Sequence, residues 1–382
     1  MDSINNMFIQ QFVIGTNYKV VNRIKNRIAV TCNIIEREDK TYLWGAERYA
    51  IKMCNALSNV YDVHLFQYSG NFLNLSNITI HPKTNNFFSK NKFNETAKRI
   101  QELSPQCILC NAGTGHQALY WLIISKMTNV PIIMFFHNEP QYIKDTLRIV
   151  HGREYICKQV ENKGIDYIYE LILSSCDKLA FLLSQYIDCK YEYKSSVFYN
   201  CIELPDKVDI NNERNRLLYV GRINSTIKRT DLLLDYVKYT KYQCDILGYS
   251  YWEDGYIDMN GYSDFKNIHY YGYQKNVTDY YKKANILVIP SLYEGLPTVA
   301  LEAMSYGVPI IGFEECRAMK ELIIDGYNGW IVKKDLGSVI EKAMQFDDII
   351  QMRKNCIKKS KKYDINNIIK RIIDVIEELK CE

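Results

Sequence analysis

Several features that would mark a fibrous, disordered or membrane-spanning chain are missing. Eight prolines and eighteen glycines in 382 residues leave no collagen-like or proline-rich tract. No stretch reaches the roughly 18 uninterrupted apolar residues that a membrane span needs. The first 27 residues carry Lys19, Arg23, Lys25 and Arg27 with no long apolar block ahead of a small-residue cleavage site, so they do not read as a secretory signal. A net charge of +4 is too small for a nucleic-acid footprint. A second CxxC pair is also lacking. Cys107-Ile-Leu-Cys110 stands alone in an apolar run that reads as a strand, where positions three apart point to opposite faces. A zinc set is therefore not expected. The twelve cysteines, without an export signal, predict reduced core thiols and a cytoplasmic protein.

What is present is an ordinary globular composition, 47% apolar and 24% charged, at a length that predicts two domains. Residues 1–205 hold 22 Lys and Arg against 18 Asp and Glu, and the remainder holds 26 of each, so the excess positive charge sits in the N-terminal half. That excess leaves room for loose attraction to an anionic membrane surface.

Short runs rich in Ile, Val, Leu and Phe alternate with stretches of helical period. The first half predicts strands at Arg27–Thr31, Asp62–Tyr68, Gln106–Cys110, Pro131–Phe136, Lys178–Leu182 and Ser195–Phe198. Helices are predicted between them at Ala46–Leu57, Phe93–Leu103, Gln117–Thr128 and Tyr155–Ser174. The pattern restarts with Arg216–Val220, Gln243–Leu247, Asn267–Tyr271, Ile286–Pro290, Val308–Gly312 and Gly329–Val332. Such alternation predicts an α/β protein with two doubly wound parallel sheets. The polar segment Glu203–Asn215 reads as the linker. The division is then an extension at 1–26, an N-terminal domain at 27–205, a C-terminal domain at 206–362 and a final helix at 363–382. In open parallel sheets ligands bind beyond the carboxyl ends of the strands, and two such domains facing each other would make a cleft.

The most informative stretch runs Pro290-Ser-Leu-Tyr-Glu294-Gly295-Leu296-Pro297-Thr-Val-Ala-Leu-Glu302-Ala-Met-Ser-Tyr-Gly-Val-Pro309. A strand ends at Pro290, a loop carries Glu294 and Gly295, and Pro297 sets a first helical turn. Gly307 and Pro309 supply the stop. Glu302 falls in the middle of an apolar helix, where a carboxylate is costly unless hydrogen-bond donors meet it. Sugar or ribose hydroxyls would do so, and the amides at the helix start suit a phosphate. The bland alternative is a surface loop and a glutamate bonded to its own neighbours.

The two glutamates with seven residues between them, then Glu-Ala-Met and Gly-Val-Pro, resemble the E-x7-E signature of glycosyltransferase family 4, retaining enzymes of the two-Rossmann-domain GT-B fold. Other segments fit the same resemblance in order: Trp44-Gly45-Ala-Glu47-Arg, Asn200-Cys-Ile with Cys where the family has Gly, Tyr219-Val-Gly-Arg222 followed by Lys228-Arg-Thr-Asp231, and Asp325-Gly-Tyr-Asn-Gly-Trp-Ile-Val. The resemblance implies a nucleotide-sugar donor and a glycan, glycolipid or protein-linked acceptor. It places Arg222 and Lys228 on the diphosphate, Glu294 on hydroxyls of the donor sugar, and Glu302 on the ribose. Gly295, Leu296 and Pro297 lie in the donor loop, and Gly45 lets backbone approach the phosphates. No Asp-x-Asp occurs, so two fixed cations would replace a metal, and no cofactor is expected. Both cations are expected to face solvent when no ligand is bound. Their spacing is one residue longer than the commoner family pattern, and Arg229 follows directly.

His137 ends the buried run Ile132–Phe136, which would aim a titratable group at the cleft, where family members often place a histidine. The base is expected against the loops after the strands ending at Leu247 and Tyr271, where Gly248 and Gly272-Tyr273 permit close approach. Gly113-Thr-Gly115-His-Gln-Ala118 mimics a dinucleotide fingerprint, but it follows the third predicted strand rather than the first. Its glycines are expected to make room on the acceptor side. A catalytically inactive GT-B sugar-binding or partner subunit is the rival to the enzyme. Lys83, Lys90, Lys92, Lys98 and Arg99 cluster near one helix, so peripheral contact of the N-terminal domain with the inner membrane face is weighed against a merely solvated face. The tail from Tyr363 carries Ile365, Ile368, Ile369, Ile372, Ile373, Val375, Ile376 and Leu379, a stripe expected to pack on the N-terminal domain.

Overall fold

The computed structural model describes residues 26–32, 35–37, 40–42, 45–67, 75–81, 90–148, 164–250 and 255–379. These separate into two compact units. One holds the described residues up to Tyr199 together with those from Ile368, and the other is Asn200–Asn367.

The first unit runs β1 (Arg27–Cys32), β2 (Ile35–Arg37), β3 (Lys40–Tyr42), α1 (Gly45–Leu57), β4 (Asp62–Gln67), β5 (Ile78–His81), α2 (Lys90–Leu103), β6 (Ile108–Ala112), α3 (Gly115–Thr128), β7 (Ile132–Phe136), α4 (Pro140–Arg148), α5 (Ile165–Ser175), β8 (Lys178–Phe181) and β9 (Ser195–Val197). Seven strands form one parallel sheet in the order β5-β4-β1-β6-β7-β8-β9, and β2 and β3 pair as a separate antiparallel ribbon. β6 and β7 are buried at every position, which is why they read as unbroken apolar runs rather than alternating ones. α3 is apolar on most of its surface because α2, α4 and α5 all pack on it.

The second unit runs β10 (Arg216–Val220), α6 (Thr230–Val237), β11 (Gln243–Leu247), β12 (Ile268–Gly272), α7 (Thr278–Lys283), β13 (Ala284–Ile289), α8 (Thr298–Ser305), β14 (Ile310–Phe313), α9 (Arg317–Leu322), β15 (Gly329–Val332), α10 (Leu336–Met344), α11 (Ile349–Ser360) and α12 (Ile365–Glu378), the last leaving this unit at Ile368. Its six strands are parallel in the order β12-β11-β10-β13-β14-β15. In both sheets the strand order reverses beside the first strand, between β1 and β6 and between β10 and β13. That reversal is the doubly wound arrangement, and it opens a crevice at the carboxyl ends of those strands.

The segment Glu203–Asn215 is not a free linker. The units divide between Tyr199 and Asn200, and the polar segment is tied to the second unit by two buried arginines. Arg353 donates to the carbonyls of Ile210 and Asn212 at 2.7 and 2.9 Å. Arg214 donates to those of Asp209 and Tyr306 at 2.6 and 3.0 Å. The segment's carbonyls thus find charged donors instead of a sheet.

The final helix is shorter than the expected 363–382. Tyr363 is fully buried ahead of it, and the Ile365 amide donates to Ile202 at 2.9 Å. From Ile368 onward α12 packs in the first unit, burying Ile368, Ile369, Ile372 and Ile376. Tyr61 donates to Glu377 at 2.7 Å, Gln106 donates to the Ile376 carbonyl at 3.1 Å, and Lys178 pairs with Glu378 at 3.4 Å. These three partners stand at or just before the starts of β4, β6 and β8. The helix therefore docks on the edge where the strands begin, leaving their carboxyl ends clear.

Trp44, Lys19, Arg23, Lys25, Lys83 and the first half of the helix expected at Tyr155–Ser174 lie outside the described residues. Of ten described cysteines nine are buried, Cys107 and Cys110 among them, and all are free thiols.

Candidate active site

The site is built at the switch point of the second sheet. β10 and β13 end side by side, and their following loops carry Gly221 to Arg229 and Pro290 to Pro297. The first loop is shaped by Asn224, whose side-chain oxygen accepts the amides of Ile227 and Lys228 at 3.0 and 2.8 Å. This is the local turn that Asn favours. The Leu292 amide donates to the Ile227 carbonyl at 2.8 Å and ties the loops together.

That tie brings Lys228 to Glu294. Lys228 Nζ donates to Glu294 Oε1 at 2.5 Å, and Ser291 Oγ donates to the same oxygen at 2.7 Å. Both partners of the pair have side chains only 15% exposed, so the expectation of a solvent-facing Lys228 is wrong. Without a ligand its ammonium is drawn onto the nearest carboxylate, which itself needs donors in a half-enclosed loop. The Cys316 thiol, pushed up to about 11 by burial and then by the Glu294 charge, stays neutral beside the pair.

Arg229 is oriented elsewhere. Its guanidinium stacks on Phe313 at 4.3 Å, donates to the Pro290 carbonyl at 2.8 Å and pairs with Glu315 at 2.9 Å. It adopts φ +47°, the left-handed cap of α6. Arg222 follows β10, half-buried, with its carbonyl held by the Tyr219 hydroxyl.

Glu302 lies half-buried in the middle of α8 and accepts a hydrogen bond from Tyr281 at 3.0 Å. One donor is thus built in for a carboxylate that can accept several. The cap of α8 is Pro297, which offers its first amides no side-chain acceptor. Leu296 is 2% exposed, and its carbonyl accepts from Asn200 at 2.6 Å. The family-like Asn200 therefore braces the Gly295-Leu296-Pro297 turn within the second unit.

Gly248 has a physical reason that the sequence did not reveal. At φ +138° a Cβ there would lie 1.7 Å from the Gly221 carbonyl oxygen, so the residue lets two loop backbones touch each other. Tyr273, on the next loop, stacks on Tyr249 with ring centroids 5.5 Å apart and planes 10° apart.

His137 and Gly45 belong to the first unit. Gly45 opens α1, exposed and with open space around it. One turn later Tyr49 meets the His137 ring at 4.9 Å. His137 is 8% exposed and its Nε2 lies 3.0 Å from Asn111 Oδ1. Gly115 does not make room for an acceptor. A Cβ there would fall 2.3 Å from the Ile143 carbonyl oxygen, so it permits α3 and α4 to pack. Asn111 was missed in the sequence, although a polar residue ending the apolar run Ile108–Cys110 was the available signal.

Comparison with known proteins agrees with this geometry. Residues 202–363, which include both of these loops, match the family model of glycosyl transferases group 1. An uncharacterised 41.2 kDa protein of the cps region of Klebsiella pneumoniae is 28% identical over 193 residues, 42% of this chain and 52% of that one, so the match spans about half of its length. A Campylobacter jejuni α-1,4-N-acetyl-D-galactosaminyltransferase, named for a diphospho-undecaprenol-linked acceptor, is 22% identical over 88% of this chain and 96% of its own. Among solved structures, HepE of Anabaena in complex with UDP superposes with a TM-score of 0.68 at 13% identity, covering 93% of this chain and all of that one. The two parallel-sheet units are those of the GT-B glycosyltransferases, and over residues 202–363 the chain is similar to the group 1 glycosyl transferases.

Proposed function

We propose that the protein is a retaining, family 4-type glycosyltransferase that moves a sugar from a UDP-sugar to a lipid-linked glycan, without a divalent metal. The observation that carries this reading is the Lys228–Glu294 pair at the switch point. It sets a cation and a carboxylate side by side, the two groups that a diphosphate and the sugar attached to it require. The donor's glycosidic bond breaks with its electron pair going to the UDP oxygen. Lys228 and Arg222 stabilise that developing charge. The acceptor oxygen attacks the anomeric carbon from the face the diphosphate leaves, and a departing phosphate oxygen takes the acceptor proton. Configuration is thereby kept without a covalent enzyme intermediate. Glu294 accepts sugar hydroxyls, Glu302 accepts the ribose with Tyr281 as its built-in partner, and Tyr273 with Tyr249 forms a wall for the base. His137 is assigned to a substrate hydroxyl.

UDP is favoured over GDP by the likeness to a fold that holds UDP. The lipid-linked acceptor is favoured by the relative named for one. An inactive partner subunit is disfavoured, since the donor loops keep both glutamates and the cations Arg222 and Lys228. Work at the cytoplasmic membrane face fits such an acceptor. Among the described residues no helix is long and apolar enough to cross a membrane. Lys98 and Arg99 lie within reach of Glu102 and Glu95 on their own helix, at 3.8 and 2.5 Å, so those two charges are matched by neighbouring acids.

A thermal-shift panel tests the donor, because a ligand bound to the folded state raises its stability. UDP and UDP-sugars are expected to raise the melting temperature, with GDP and ADP giving no shift. With the matched donor, EDTA is expected to leave turnover intact and the product to keep the donor's anomeric configuration by NMR. Stabilisation by GDP in place of UDP would change the donor. Activity lost with EDTA and restored by Mg²⁺ would overturn the metal-free account.

A further inference from the structure

We infer that Ser291 is a positioning residue that keeps the Glu294 carboxylate in the site when Lys228 turns from it to the diphosphate. This rests on the proposed function for the diphosphate, and on the second unit alone for the hold on Glu294. Glu294 Oε1 accepts two hydrogen bonds, from Lys228 Nζ at 2.5 Å and from Ser291 Oγ at 2.7 Å. Both donors take the same oxygen, and the Glu294 side chain keeps 15% exposure, so Oε2 is left for the sugar hydroxyl assigned to this carboxylate. The two donors differ in what can move them. An ammonium carries three protons on a flexible four-carbon stem, so an arriving diphosphate can share it or draw it away. A serine hydroxyl carries one proton on a short side chain, and here that proton is spent on Glu294.

Ser291 is held where it stands. It is 1% exposed and follows Pro290 at the end of β13, a strand buried at every position. On one side of it the Pro290 carbonyl accepts from Arg229 Nε at 2.8 Å. On the other the Leu292 amide donates to the Ile227 carbonyl at 2.8 Å. Both ties run to the loop that carries Lys228, and neither uses the Lys228 side chain. The backbone of Ser291 is therefore fixed to that loop whichever way the ammonium points. A carboxylate in a half-enclosed loop is costly without a donor, and departure of the lysine would leave Glu294 with neither of its donors if an alanine stood in place of Ser291. Packing the end of β13 needs no hydroxyl, whereas a carboxylate that must outlast its ion pair does.

Two structures and three variants test this on the full-length protein. In ligand-free K228A, Glu294 is expected to stay within hydrogen-bond distance of Ser291, because that bond does not depend on the lysine. A carboxylate turned away from Ser291 overturns the inference whatever the activity. In wild type with UDP bound, Lys228 is expected on a phosphate oxygen with Glu294 still on Ser291, and a glutamate that followed the lysine would overturn it as well. S291A is expected to lower kcat on the order of tenfold to a hundredfold, as a misplaced group does, while the UDP-induced thermal shift stays unchanged. S291T restores the hydroxyl and is expected to recover most of the loss, which a serine needed only for its size would not show. In an E294A background S291A is expected to cost nothing further, because Ser291 acts through that carboxylate. An equal loss in both backgrounds would mean a purely structural serine and would sink the inference. Wild-type protein that binds no UDP, or transfers no sugar, would defeat the proposed function and leave the K228A structure to decide the hold on Glu294.

Discussion

Lys228 and Arg229 carry the same charge on adjacent residues, yet Lys228 bonds Glu294 while Arg229 is held by Pro290, Glu315 and Phe313. The two should therefore fail differently. K228A is expected to lower kcat/KM on the order of a hundredfold to a thousandfold, about 3–4 kcal/mol of transition-state stabilisation, with the melting temperature nearly unchanged. R222A is expected to behave alike. R229A removes a charged hydrogen bond and a ring contact that join α6 to the ends of β13 and β14. It should cost about 2 kcal/mol of stability and show it in urea titration, with donor affinity little affected. Reversed phenotypes would place the wrong cation on the diphosphate. The sequence showed three basic residues near a helix start and could not choose among them. The choice is made by Phe313 and Pro290, more than sixty residues downstream.

At the scale of single elements, β5 is a strand open to perturbation, half-exposed at the sheet edge. His81 on it lies 3.0 Å from His64 of β4 and stacks on Phe66 at 4.1 Å. Asp62 and Arg27 sit on the far side of His64, and the Arg99 charge is felt from α2. Burial first, then the charges of His64 and Arg99, holds His81 down at about 4. An unfolded histidine titrates near 6.5. The unfolded chain therefore binds the extra proton first, and the contribution is present above about pH 6.5 and lost as pH falls towards 4. Amide exchange in β5 should accelerate across that window, and H81Q, which keeps a donor for His64 without titrating there, should flatten the response. Equal acceleration in H81Q would assign the lability elsewhere. β5 also shows where legibility ended. Strands buried on both faces, such as β7, β10, β11 and β15, were found almost to the residue from their apolar runs. β5 and the β2–β3 ribbon have no such run, and α4 was missed because Pro140 was not recognised as the first residue of a helix, where proline is in fact favoured. The linker was misplaced for a different reason. Its carbonyls are satisfied by Arg214 and by Arg353, the latter about 140 residues away, a pairing that no local pattern displays.

For the whole molecule, the division of the chain makes the two units separable by experiment. Arg222, Lys228, Gly248, Tyr273, Glu294 and Glu302 all lie in Asn200–Asn367, whereas α12 from Ile368 completes the other unit. The amphipathic tail was legible from its isoleucines. Its docking on the edge where strands begin was not, since that depends on Tyr61, Gln106 and Lys178 arriving there from three separate strands. Ending the chain after Asn367 uncovers the surface buried by Ile368, Ile369, Ile372 and Ile376 and strips Gln106 of its acceptor. At about 2 kcal/mol for each isoleucine, the loss is comparable with the whole stability of a typical domain. Such a truncation should lower the unfolding transition of the first unit steeply and abolish transfer to acceptor. The second transition should survive and should still rise with UDP, because Arg222, Lys228, Tyr273, Glu294 and Glu302 remain in place. Calorimetry with and without UDP reads both transitions in one sample. If the truncated chain melted like wild type, α12 would be dispensable to the first unit; if UDP no longer shifted the surviving transition, the donor site would not be contained in Asn200–Asn367.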